Sequence, residues 1–271
     1  MNTVPSLNGL SPFLRWAGSK RQLVPELAQF WKPTHKRYIE PFAGSACLYF
    51  HIAPKHAILG DINYELIETY SAIRDNVGTV INALKGLRNA ESEYLRIRAL
   101  PTEALSRSMK AARFIYLNRF CFNGLFRTNL RGRFNVPYGG KKSGSLPTAD
   151  SLKQCSQLLT GAQLVAADFE NILKQARPGD FVYMDPPYTI QGQRVFREYN
   201  PAAFGEEDLR RVRFWMCRLA KVGVAFVLTF ADSPEAKILQ KGFHTRYTTV
   251  RRSISGFTGF RTQAREVLIF P

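Results

Sequence analysis

The chain is 271 residues long and 45% hydrophobic, with 38 Lys and Arg against 21 Asp and Glu, a formal net charge of +17. That length and apolar content support one large domain, or a core domain with a sizeable insertion. No apolar run reaches the roughly 20 residues a bilayer crossing needs, and the N-terminus has no basic start followed by an apolar stretch, so the sequence predicts a cytoplasmic protein with no membrane partner. The four cysteines, Cys47, Cys121, Cys155 and Cys217, are scattered, without a Cys-x-x-Cys or a nearby histidine pair. They indicate neither a disulfide framework nor a zinc site, and no metal is expected.

In chain order, "KRQLVPELAQFW" reads as helix, "YIE" from Tyr38 as a strand, "HAILGD" as a strand ending at Asp61, and "YELIETYSAIRD" as helix. Beyond "VINALKGLRNAESEYLRIRAL" and "LSRSMKAARFIYLNRF", both helical, comes the loop-rich "FCFNGLFRTNLRGRFNVPYGGKKSGSLPTA". Alternation then resumes with strands "QLVAAD" to Asp168, "DFVYMD" to Asp185 and "GVAFVLTF" to Phe230, interleaved with helices "FENILKQA" and "EEDLRRVRFWMCRLAKV". This is an α/β pattern, a mostly parallel sheet with helices on both faces, interrupted by an inserted helical domain. The division expected is 1–63 and 150–271 for the sheet domain and 64–149 for the insertion.

Ligands of such sheets gather at the carboxyl ends of the strands, which puts Asp61, Asp168 and Asp185 on one rim. After Glu40, the small-residue turn "EPFAGSA" lets a ligand approach the backbone and meet a helix N-terminus. "AGSKRQ" is no P-loop, because Lys20 does not follow a glycine and the upstream glycine is missing, so ATP hydrolysis is disfavoured. Asp61 can take ribose hydroxyls or cap the next helix; Asp168 carries the same alternatives, and Phe169 either stacks on an adenine ring or fills the core. In "VYMDPPY", Asp185 and the Pro186 carbonyl can accept both hydrogens of a nucleobase amino group, Pro186 and Pro187 stiffen the turn, and Tyr188 can stack on the base. Such a base must first leave the duplex.

The charge is segregated. Ala104 to Ala149 holds nine basic residues and no acid, and Ala236 to Arg265 holds seven more, again without an acid. Interleaved Phe, Tyr, Asn and Gly suit stacking and base-edge contacts, so nucleic acid is favoured over a merely solvated basic surface.

The ordered series "FLRWAGSK", "YIEPFAGSA", "LGDINYELI", "YLNRFCFNGLFRTNLRGRFNVPYGG", "VYMDPPY" and "VRRSIS" resembles the Dam family of DNA adenine-N6 methyltransferases of alpha motif order, over nearly the whole chain. The resemblance implies a Rossmann-like S-adenosylmethionine-dependent sheet, with 64–149 as target-recognition domain, and double-stranded DNA as partner, without an obligate protein partner. It implies a cofactor pocket of Trp16, Ala17, Gly18 and Lys20, then Glu40, Phe42 and Gly44 under the methionine part. Asp61 would hold the ribose, Asp168 and Phe169 would flank the adenine, and Asp185 would lie near the cofactor as well as in the catalytic turn Asp185–Tyr188. DNA-reading positions fall on Arg15, Phe122, Asn123, Leu125, Arg127 and Pro137, with further contacts from Arg251, Arg252 and Ser253. Arg127 is the expected base reader, arginine on guanine being the commonest specific contact, with a phosphate clamp as the alternative. GATC is the lead for the target, although Arg15 and Phe122 stand where GATC-reading members often have lysine and tyrosine. Rival readings are an amino-methyltransferase of another substrate (cytosine N4, guanine N2 in RNA, a protein glutamine) and an inactive DNA-binding homologue.

Overall fold

A computed structural model describes residues 10–141, 143–187, 204–251 and 263–271. Seven strands form one sheet: β1 (Tyr38–Glu40), β2 (Ala57–Asp61), β3 (Ala162–Ala166), β4 (Phe181–Met184), β5 (Ala225–Ala231), β6 (His244–Arg251) and β7 (Gln263–Phe270). Their spatial order is β3-β2-β1-β4-β5-β7-β6. The first five run parallel, while β7 is antiparallel to both β5 and β6. From β1 the chain winds outward through β2 to β3, then returns to lay β4 on the other side of β1. The carboxyl ends of β1 and β4 therefore flank the point where strand order reverses, the place where open α/β sheets bind ligands.

The parallel strands are apolar on both faces, and alternate residues serve two cores. Tyr38, Leu59, Phe181, Tyr183 and Val227 enter one buried cluster; Ile39, Ile58, Val182, Met184, Phe226 and Leu228 enter the other. Against the second cluster lies helix Glu206–Lys221, which buries Leu209, Val212, Met216 and Leu219 at helical spacing and has acids in its first turn and bases in its last. The first cluster continues without a break into the 64–149 segment, through Tyr70, Tyr94, Tyr116 and Phe120 of helices Tyr64–Leu84, Glu91–Ala99 and Arg107–Phe120.

Three local expectations differ from the structure. Instead of one helix, residues 21–30 form a 3-10 turn, the four-residue helix Val24–Leu27 and another 3-10 turn; Pro25 has no N–H to continue a helical ladder. Strand β3 stops at Ala166, two residues before Asp168, because Asp168 turns to cap the helix Phe169–Leu173 through the Glu170 N–H at 3.0 Å. No strand is expected from the sequence after Phe230, yet β6 and β7 complete the sheet; β6 is an edge strand exposed along most of its length and has little apolar alternation to reveal it.

Candidate active site

Asp185 follows β4 directly, on the same side of the sheet as Tyr183, and Glu40 ends β1 beside it. The Lys20 ammonium bridges the Asp185 carboxylate, 2.8 Å from Oδ1 and 3.0 Å from Oδ2, and also donates to the Gly18 carbonyl at 2.9 Å. Glu266 of β7 lies 4.0 Å from the same ammonium. Thr229 of β5 donates its hydroxyl to Asp185 Oδ1 at 2.8 Å. The carboxylate at the end of a buried strand thus has its partner, a lysine whose side chain is itself only 5% exposed. Pro186 is buried and Pro187 exposed; Tyr188 lies outside the described residues.

Glu40 is buried and accepts a hydrogen bond from the Tyr38 hydroxyl at 2.9 Å. Burial pushes its carboxyl well above the usual range against that bond, and the negative fields of Asp185 and Asp61 push the same way. Asp61 is raised by burial too, opposed by the N–H groups of Asn63 and Gly44 that it accepts at 2.9 and 3.0 Å. It does not cap helix Tyr64–Leu84. Asn63 does, accepting the Leu66 N–H at 3.1 Å, so Asp61 keeps acceptor capacity toward the rim.

Gly44 sits at φ +47° with its carbonyl on the Tyr70 hydroxyl at 2.6 Å, and a Cβ there would lie 2.8 Å from Cδ1 of Trp16. A Gly44→Ala variant is expected to lose about 1–3 kcal/mol of stability from left-handed strain and overpacking. Denaturant unfolding and Trp fluorescence check this; unchanged stability with an unmoved ring would refute it. Trp16 is half-buried and stacks on Phe126 at 6.2 Å, while Ala17 and Gly18 are exposed. Phe42 packs on Phe169 at 5.1 Å. Phe169 is buried, with the Arg211 guanidinium 4.6 Å from its ring centre, and Arg211 also pairs with Asp168 at 2.6 Å. Both therefore already have structural partners at the second core.

Five of the positions expected to read DNA, Phe122, Asn123, Leu125, Arg127 and Pro137, gather on an irregular hairpin. Cys121 pairs with Tyr138 and Thr128 with Phe134, Phe122 N–H bonds the Pro137 carbonyl at 3.0 Å, and Asn135 N–H bonds the Arg127 carbonyl at 3.0 Å. Phe122, Asn123, Arg127 and Pro137 are exposed on it; Leu125 is half-buried. Asn123 takes φ +54°, a conformation asparagine tolerates better than most residues. The Arg127 guanidinium rests on the Asn135 side chain at 2.8 Å. At the tip, Asn129 accepts the N–H groups of Arg131 and Arg133, both at 3.0 Å, and Leu130 stands 90% exposed.

Arg15 behaves differently from its sequence neighbours. Asn118 grips its backbone, accepting the N–H at 2.8 Å and donating to the carbonyl at 2.5 Å, while the guanidinium bonds the carbonyls of Arg119 and Ser143. The Arg15 clamp ties the 15–18 loop to helix Arg107–Phe120, and the Trp16–Phe126 stack ties the same loop to the hairpin. Arg251 ends β6 opposite Gln263, with only its backbone described, and Arg252 and Ser253 lie outside the described residues.

Sequence reasoning missed Thr229 and Asn118, which hold the Asp185 carboxylate and the Arg15 backbone; neither a threonine in an apolar strand nor an asparagine within a helix carries a local signal for such a partner.

A mostly parallel sheet with acids and a glycine turn at its reversal point is the layout of a Rossmann-like enzyme that handles its substrates at the strand ends. The chain belongs to the D12 class N6 adenine-specific DNA methyltransferases, whose family model matches residues 16–254. It is 33% identical to a type II methyltransferase, M1.LlaDCHI, of Lactococcus lactis subsp. cremoris, over 96% of this chain and 95% of that protein. It is 29% identical to a DNA adenine methylase of Haemophilus influenzae, covering 95% and 92%, and 28% identical to one of Escherichia coli K12, covering 94% and 93%. Among the described residues no helix is long and apolar enough to cross a membrane.

Proposed function

We propose that this enzyme transfers a methyl group from S-adenosylmethionine to N6 of an adenine in duplex DNA, after the base has turned out of the helix into the rim at Asp185. The observation that carries the reading is the Asp185 carboxylate, held at the reversal point by Lys20 and Thr229 beside the buried acid Glu40. The residues fit the cofactor chemically: a buried carboxyl in the field of two others suits a cationic ligand, and Asp61 retains acceptor capacity for hydroxyls. Trp16, Ala17, Gly18, Glu40, Phe42, Gly44 and Asp61 would hold it, with Lys20 near its reactive end; Asp168 and Phe169 would serve only through their outer edges. When bound, S-adenosylmethionine supplies an electrophilic methyl carbon on a sulfonium.

An adenine amino group is a poor nucleophile because its lone pair is delocalised into the ring. Asp185 and the Pro186 carbonyl would accept its two hydrogens, localising the lone pair and aiming it. Residues 64–149 would form the target-recognition part and 1–63 with 150–271 the catalytic part. GATC is the first target to test.

Incubating plasmid DNA with labelled cofactor and mapping the modified base by sequencing tests substrate, base and context together. Label on adenine N6 in one sequence context is the expected result; label on cytosine, or none, would overturn the reading. Arg127→Ala should relax the choice at one base pair by about 1–3 kcal/mol. A uniform loss over all sequences would make Arg127 a phosphate contact.

A further inference from the structure

We propose that Thr229 is a positioning residue for methyl transfer: its hydroxyl fixes the orientation of the Asp185 carboxylate, and the Tyr183 hydroxyl fixes the direction of the Thr229 proton. This rests on the reading of Asp185 as acceptor of the adenine amino group.

The hydrogen bonds here have a fixed direction. A carboxylate in a salt bridge only accepts, so Thr229 donates its one proton to Asp185 Oδ1 at 2.8 Å in preference to the more distant Met184 carbonyl at 3.5 Å. The Tyr183 hydroxyl, 3.3 Å from Thr229 Oγ1, must then be the donor to it. Burial, and after it the negative charge of Asp185, raises the Tyr183 phenol well above its usual range, which keeps that donor protonated. The result is a buried row from Tyr183 through Thr229 to Asp185, set on adjacent parallel strands whose register pairs Tyr183 with Val227 and Met184 with Leu228. Thr229 is 0% exposed.

Lys20 alone would leave the carboxylate plane loose. An ammonium on a four-carbon stem acts as a mobile point charge, and the torsion that rotates an aspartate carboxylate is broad. A β-branched hydroxyl on a strand has a stiff first torsion, and it loads Oδ1, whereas Oδ2 has, among the described residues, the longer 3.0 Å bond to Lys20. Oδ2 is thus the oxygen left to meet an incoming amino hydrogen. If Thr229 merely filled space, valine, of the same shape, would serve as well.

The test compares Thr229→Val, Thr229→Ser and the double variant Thr229→Val with Tyr183→Phe, which leaves no hydroxyl orphaned. Thr229→Val should lower kcat about 100-fold, the scale of a misplacement near 1 Å. KM for cofactor and DNA should stay within about twofold, as should fluorescence of a duplex carrying 2-aminopurine at the target, since neither depends on a fixed carboxylate plane. Thr229→Ser should retain activity within about threefold by restoring the same hydrogen bond. The double variant should recover any lost thermal midpoint but not kcat. Wild-type kcat in Thr229→Val, an equal loss in the Ser variant, or a kcat that recovers together with the thermal midpoint in the double variant would each overturn the proposal. An inactive wild type would instead sink the parent reading, which keeps the two failures apart.

Discussion

Asp185→Ala is expected to lower kcat for methyl transfer by about 10³-fold or more, the upper range for removing a group that acts only on the reacting centre. The structure adds a second consequence. Lys20 and Asp185 are 5% and 19% exposed in their side chains, so the variant takes the nearest carboxylate from a buried ammonium and leaves it with the Gly18 carbonyl and, at 4.0 Å, Glu266. Deleting one partner of a buried pair costs about 3–5 kcal/mol where nothing else compensates the charge, and Glu266 makes the loss here smaller than that. Unfolding then adds to the activity loss, and turnover must be measured below the variant's own melting transition. Asp185→Asn separates the effects: it keeps the shape but turns an NH2 donor toward either Lys20 or the substrate amino group. It should be about as inactive while more stable than the alanine variant. DNA affinity should persist in both, because the exposed hairpin residues do not touch Asp185. An alanine variant with full turnover would end the role given to this residue.

The second large effect is on DNA affinity, which should fall by about 10³–10⁵ between 50 and 200 mM salt if six to ten phosphates are contacted. The net charge of +17 suggests this, but the structure sorts the basic residues. Arg96 pairs with Glu93, Arg107 with Glu68 and Asp75, Arg210 with Glu206 and Glu207, and Arg211 with Asp168, Glu170 and Asp208. Their charge is largely matched at home. Arg127, Arg131 and Arg133 on the hairpin are exposed and have no acidic partner among the described residues. Replacing all three with alanine should reduce the slope of log affinity against log salt by up to about 2.7, roughly 0.9 for each phosphate no longer neutralised. Arg210→Ala should leave the slope unchanged. A flat salt response in the parent protein would contradict the electrostatic reading of the whole basic segment.

Much of this site could be read before any fold was known. Strands ending at or near an acid, a glycine turn after β1 and a rigid Asp-Pro-Pro turn are local patterns, and local patterns report local backbone and chemistry. The acid-free basic stretch from 104 to 149 likewise needs only composition to suggest a polyanion.

What the chain folds up to decide is of another kind. Lys20 meets Asp185 across 165 positions, Asn118 clamps Arg15 across 103, and Thr229 reaches Asp185 across 44. A lysine in a loop or a threonine in an apolar strand has no sequence mark that names its partner. Tertiary structure also separated two acids that looked alike: Asp61 remains an acceptor at the rim because Asn63 caps the helix, whereas Asp168 caps its own helix and is held by Arg211. Sequence by itself determined which chemistry is present on each strand. Strand order and side-chain register, set by burying two apolar faces at once, decided which groups stand within a hydrogen bond of one another.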